Sequence, residues 1–191
     1  KPNNIIGVTG TNGKSSIANF YYQILRNNNK NSASIGTLGI KSKLHNKNLN
    51  ITTLDPVNLH QSLQLIKNKK INNVILEASS HGLKQSRLDH LKFNCSIFTN
   101  LSRDHLDYHK TFKDYLNSKL KLFRLLMKKN STIIFDNDLP ISKILKQIGK
   151  SKKLKSITIG VKNSDLNINK IYYRDEMLLV DFNYKKKKLF N

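Results

Sequence analysis

The residues with the most chemical content stand near the front of the chain. Gly10-Thr11-Asn12-Gly13-Lys14-Ser15-Ser16 follows an apolar run at 5–8 and opens a helical pattern at 14–26. A strand, a glycine-rich turn and Lys-Ser at a helix start form the setting in which backbone N–H groups cradle phosphate oxygens. Lys14 would place its charge on the β- and γ-phosphates, and Ser15 would offer a hydroxyl to Mg²⁺. The general pattern puts a first glycine at position 8, where Val8 stands, with Gly7 and Gly10 nearby. The bland reading is an ordinary glycine-rich turn; Lys-Ser in register behind a strand argues for the phosphate loop.

Three further positions carry chemistry. Glu77 ends the apolar run Val74-Ile75-Leu76. A carboxylate there lies over the strand ends where α/β sheets bind ligands, and it could hold Mg²⁺ directly or through water. A polar loop, Asn100-Leu101-Ser102-Arg103-Asp104-His105, leaves the same edge after a strand at 96–99. His105 is a candidate metal ligand with Asp104 to orient it, although loop histidines taken alone are more often surface groups. Lys119 sits among Phe112, Tyr115, Leu116, Leu120, Phe123 and Leu126, near the middle of their helical stripe. It either snorkels outward or is buried for a purpose. A buried, neutral amine can add CO₂ to form a carbamate, which behaves towards Mg²⁺ like a carboxylate.

The elements that must position these groups alternate. Strands are expected at 5–8, 74–77, 96–99, 132–135 and 156–159, with helices at 14–26, 59–69, 112–127 and 141–148. This alternation predicts an α/β fold, a doubly wound, mostly parallel sheet with a phosphate loop. The runs 168–173 and 177–184 flank Arg174-Asp175-Glu176 and predict a small antiparallel extension near the C-terminus. No internal repeat or Gly/Ser linker divides the chain, and 191 residues suffice for one domain with a real core.

Thirty-four Lys and Arg against 12 Asp and Glu give a net charge of +22. A polyanion partner is one reading. The basic residues are scattered, however, apart from Lys185-Lys186-Lys187-Lys188, and no basic motif is interleaved with aromatics to stack bases. Lys, Asn and Ile abound throughout, as an AT-rich genome would write into tolerant surface positions. No nucleic-acid partner is therefore expected. One cysteine, Cys95, precludes an internal disulfide. No segment approaches the ~18–20 apolar residues that span a bilayer, so neither membrane insertion nor a signal segment is expected.

Three blocks carry a family resemblance: Val8-Thr9-Gly10-Thr11-Asn12-Gly13-Lys14-Ser15; Glu77-Ala78-Ser79-Ser80-His81-Gly82-Leu83; and Thr99-Asn100-Leu101-Ser102-Arg103-Asp104-His105-Leu106-Asp107-Tyr108-His109. In this order they resemble the Mur ligases, and the second and third are close to the MurE type. The resemblance implies a cytoplasmic, monomeric enzyme that uses ATP and Mg²⁺ to add a third residue to UDP-N-acetylmuramoyl-L-alanyl-D-glutamate through an acyl phosphate. It implies that Gly10, Thr11, Asn12, Gly13, Lys14, Ser15 and Ser16 bind ATP. It assigns Mg²⁺ to Ser15, Glu77, His105 and a carbamylated Lys119, and the muramyl substrate to Thr52, Thr53, Ser79, Gln85 and Arg87.

Departures leave these ligands in place. Ser15 stands for the commoner Thr, Ala78 for Val and Leu54 for Pro; Asp136-Asn137-Asp138-Leu139-Pro140 lacks a second acid at Leu139. The resemblance reads residues 1–191 as the central ATP-binding domain, truncated at its C-terminal end, without the N-terminal uridine-nucleotide and C-terminal amino-acid domains. The added residue would be diaminopimelate, or lysine in the other branch. Rivals are a folylpolyglutamate or cyanophycin-type ligase, a basic P-loop ATPase that binds nucleic acid, and a fragment that only binds nucleotide.

Overall fold

The computed structural model describes residues 1–43 and 46–185, and the backbone alone of 187–189. Lys186 and the side chains of Lys187 and Lys188, three of the four residues in the basic run, lie outside the described residues. The described residues form ten strands, β1 (Asn4–Thr9), β2 (Ser32–Gly36), β3 (Gly39–Ser42), β4 (Asn73–Glu77), β5 (Phe93–Phe98), β6 (Met127–Asp136), β7 (Lys155–Gly160), β8 (Leu166–Arg174), β9 (Met177–Tyr184) and β10 (Lys187–Leu189). They make a single sheet in the order β10-β9-β8-β7-β6-β5-β1-β4-β2-β3. From β2 across to β8 every neighbouring pair is parallel. Antiparallel strands finish both edges, β3 on β2 and β9 with β10 beyond β8.

The mostly parallel sheet and its antiparallel C-terminal extension are those expected from the sequence. The β2–β3 hairpin was not foreseen, because Ser32-Ala33-Ser34-Ile35-Gly36 is built of small residues without an apolar run.

Among the described residues six helices connect the strands: α1 (Lys14–Asn27), α2 (Pro56–Asn68), α3 (Ser80–Lys84), α4 (Leu106–His109), α5 (Phe112–Leu125) and α6 (Ser142–Ser151). Strand side chains alternate between faces, and neighbours separate accordingly. Ile5, Val74 and Leu76 join the larger core with Leu59, Leu63 and Ile66 of α2, Leu120 and Phe123 of α5, and Leu145 and Ile148 of α6. Ile6, Val8 and Ile75 point the other way, onto Ala18 of α1. Each such fully buried side chain contributes roughly 1.5–3 kcal/mol relative to exposure, so these faces fix where the strand ends, and hence the site, must lie.

Local signals set the helix ends. Asp55 caps α2 by accepting the Val57 and Asn58 N–H groups ahead of Pro56, and Thr111 caps α5 by accepting the Asp114 N–H. Helix α5 ends at Leu125, and Met127 already belongs to β6, which is longer than the 132–135 run expected. Phe112 is exposed, and Leu122 takes a core position instead.

Candidate active site

The loop between β1 and α1 is held open by its glycines and tied down from β5. Gly10 has φ +150, and a Cβ there would lie 1.9 Å from Thr99 Oγ1; Gly13 caps α1 with φ +81. Asn100 accepts the Thr11 N–H on its carbonyl (3.0 Å) and the Asn12 N–H on its side-chain oxygen (2.8 Å). Thr99 Oγ1 donates to Asn12 O at 2.6 Å. No side chain caps α1, so its first N–H groups remain available to an anion, as a phosphate-binding helix requires. Lys14 Nζ folds back onto Gly10 O (3.0 Å) and Thr11 O (2.8 Å). Ser16 and Asn12 are exposed.

Glu77 reaches the loop from the end of β4. It is 3% exposed and accepts hydrogen bonds from neutral donors. Ser15 Oγ donates to Oε2 (2.9 Å), and Thr37 donates its N–H to Oε1 (2.9 Å) and its hydroxyl to Oε2 (3.2 Å). A buried carboxylate beside a loop hydroxyl is a donor set that suits Mg²⁺, which takes one or two protein oxygens and completes its shell with phosphate and water. Among the described residues no three His, Cys, Asp or Glu side chains gather as a metal cluster. His105 is half-exposed, in left-handed backbone at φ 52. It lies 3.5 Å from Asp104 Oδ2 and edge-on to His81 at 4.8 Å between ring centroids, and pairs with Asp104 and not with Glu77.

Lys119 is 1% exposed, which decides between snorkelling and burial. Its Nζ donates to Gly10 O at 2.7 Å and lies 4.3 Å from the centre of the Tyr115 ring. Burial, and then the positive charge of Lys14, lower its pKa to about 7, against an opposing pull from Asp104. Lys14 is lowered too, by burial, with Glu77 and Asp104 acting to raise it. Tyr115, fully buried, joins its hydroxyl to Thr11 Oγ1 at 3.1 Å and so ties α5 to the loop.

The residues expected to meet substrate border one cleft of about 360 Å³, which includes Lys14, Thr52, Thr53, Ser79, Gln85, Arg87 and His105 as well as His81. They do not all present free groups to it. The Thr53 hydroxyl lies 2.9 Å from both Glu77 O and Ser79 Oγ and accepts the Ser79 N–H at 3.0 Å. Arg87 Nη1 donates to Thr53 O at 2.7 Å, and Gln85 Nε2 to the Tyr108 hydroxyl at 2.9 Å. Thr53 therefore braces the segment that carries Glu77 and Ser79. Reading the sequence missed Thr37 and Tyr115. Thr37 lies in an unforeseen hairpin, and Tyr115 passes in the sequence for an ordinary core aromatic.

This site stands at the C-terminal ends of parallel strands, in a chain whose residues 8–190 match the model of the Mur ligase middle domain; the chain belongs to that family. It is 37% identical over 171 residues to UDP-N-acetylmuramoyl-L-alanyl-D-glutamate--2,6-diaminopimelate ligase of Chelativorans sp. (strain BNC1), covering 90% of this chain and 35% of that one. It is 40% identical over 175 residues to the ligase of the same name from Rickettsia montanensis, covering 90% and 36%. The chain thus spans about a third of the length of these relatives. A solved structure of a ligase with that name superimposes with a TM-score of 0.87 at 28% identity, over 99% of this chain and 39% of that one. The apo form of L. casei FPGS, at 12% identity and a TM-score of 0.74 over 100% of this chain and 52% of that one, shares the fold.

Proposed function

We propose that this chain is the ATP-binding part of a ligase that joins diaminopimelate to UDP-N-acetylmuramoyl-L-alanyl-D-glutamate. The observation that carries the reading is the single cleft running from Lys14 of the phosphate loop to Thr52, Ser79 and Arg87, above a buried Lys119. The free N–H groups at the start of α1 and the Lys14 ammonium hold the phosphates of ATP. A substrate carboxylate oxygen then bonds to the γ-phosphorus as the bond to ADP breaks, giving an acyl phosphate. The amine of the amino acid attacks the acyl carbon, loses a proton, and phosphate leaves with the bonding pair. Lys14 positions the phosphates and offsets their negative charge. Ser15, Glu77, His105 and Lys119 in its carbamate form are the residues that would hold Mg²⁺, which when bound neutralises phosphate charge. Arg87 supplies a guanidinium suited to a carboxylate or phosphate of the muramyl substrate. The protein acts as a monomer in the cytoplasm, where its nucleotide substrates are found; no helix among the described residues is long and apolar enough to cross a membrane.

The test is ADP release by the complete enzyme. Release should require both the muramyl dipeptide and diaminopimelate, and Lys14→Ala should abolish it. ADP formation indifferent to the dipeptide, or near-normal turnover by Lys14→Ala, would refute the reading.

A further inference from the structure

Glu77 and Thr52 are joined by a residue for which sequence reasoning gave no role. Gly36, at the end of β2, has no side chain, and a Cβ there would fall 2.0 Å from Glu77 Oε1. That bare position lets the next residue, Thr37, bring its N–H to Oε1 at 2.9 Å and its hydroxyl to Oε2 at 3.2 Å. The same hydroxyl lies 3.0 Å from Thr52 Oγ1, and Thr52 borders the cleft.

Proton accounting fixes the direction of this chain. A hydroxyl has one proton and two lone pairs, and a carboxylate only accepts. The Thr37 proton goes to the stronger acceptor, the buried carboxylate. The 3.0 Å contact with Thr52 then requires the Thr52 hydroxyl to donate to Thr37. With its proton spent, Thr52 has only lone pairs left to offer a ligand.

We infer that Thr37 is a positioning residue that carries the polarity of Glu77 outward, so that Thr52 meets the muramyl substrate as an acceptor from one of its N–H or O–H groups. The inference rests on the functional reading above and deepens it. Thr37→Val keeps the β-branched shape and the N–H bond to Glu77 but removes the relay, so the Thr52 hydroxyl is no longer held in its acceptor orientation.

The experiment is steady-state kinetics of the complete enzyme, with UDP-N-acetylmuramoyl-L-alanyl-D-glutamate and ATP varied separately. Thr37→Val should raise KM for the dipeptide about three- to tenfold, the worth of one hydrogen bond, and by more than it raises KM for ATP, which reports the bond lost by Glu77. Thr37→Ser should restore the wild-type value. The pair Thr37→Val/Thr52→Val should be no worse than Thr52→Val alone, because the first residue acts through the second. An unchanged dipeptide KM, an equal rise in KM for ATP, or additive penalties in the double variant would overturn the relay. If the wild-type enzyme does not use the dipeptide, the functional reading falls and takes the relay with it. If wild type uses it and the variants respond as wild type, only the relay falls.

Discussion

A protonated ammonium at Lys119 would give up its hydration for one carbonyl, Gly10 O at 2.7 Å, and the face of Tyr115. The fold instead favours the neutral amine, and the cost follows from linkage. With a folded pKa of about 7 against roughly 10.4 in the unfolded chain, both states are neutral well above pH ~10.4 and the cost is nil there. As pH falls from there the unfolded chain gains a proton that the folded one refuses. The cost grows by about 1.4 kcal/mol per pH unit and levels off below the folded pKa. Lys119→Met, of similar length and without the charge, should therefore raise the urea midpoint most near pH 7 and progressively less towards pH 10. A gain that grows with pH would contradict a depressed lysine. The same neutral amine is what CO₂ requires. Lys119→Ala should accordingly lose most turnover in the complete enzyme and regain part of it with formate or acetate, which replace the missing carboxylate. Full activity without such addition would sink the carbamate. Burial of Lys119 was visible in the helical spacing as one of two outcomes; the Gly10 carbonyl that receives it was not, since 109 residues separate the partners.

Elements hold these residues within tight margins, most clearly where β2 ends against Glu77. The carboxylate is pinned by Ser15 and Thr37, so it cannot swing away from an added methyl at position 36, which would meet Oε1 at 2.0 Å and Cδ at 2.3 Å. Gly36→Ala should destabilise the chain by roughly 1–3 kcal/mol, the usual cost of overpacking, and weaken nucleotide binding as Glu77 is displaced. Gly13→Ala is the control: nothing lies within 4 Å of its Cβ, and only φ +81 opposes it, at roughly 1–2 kcal/mol. An unchanged denaturation midpoint for Gly36→Ala would show that Glu77 is not held as described. Elements with continuous apolar runs, such as β1 and β4, could be read from the sequence because burial on both faces leaves that signature. Helix α3 and the β2–β3 hairpin could not. The first is five residues long, and the second buries Ala33, Ile35 and Ile40 in the core but has no apolar run that would mark it in the sequence.

On the scale of the molecule, charge and apolar surface oppose each other. The register of the β8–β9 ribbon places Ile171 opposite Val180 and Tyr173 opposite Leu178, so these four lie on one face, with Lys170, Tyr172, Arg174, Met177, Leu179 and Asp181 on the other. Ile171, Tyr173 and Leu178 are 56%, 82% and 55% exposed. The two runs flanking Arg174-Asp175-Glu176 foretold a hairpin, but not that Ile171, Tyr173 and Leu178 would lie open. A contiguous exposed apolar patch promotes association, and a two-stranded ribbon gains stability when its face is packed. Two copies of this chain carrying +22 each repel one another. That repulsion reaches about 10 Å at 0.1 M salt and about 3 Å at 1 M, while contact between apolar faces is not screened. The 191-residue chain should therefore sediment as a monomer in dilute salt and self-associate as salt approaches about 1 M. Tyr173→Lys/Leu178→Lys, which places charge on that face without touching the core, should keep it monomeric throughout. Association that weakens as salt rises would point to pairing of opposite charges, and association unaffected by the double substitution would place the sticky surface elsewhere.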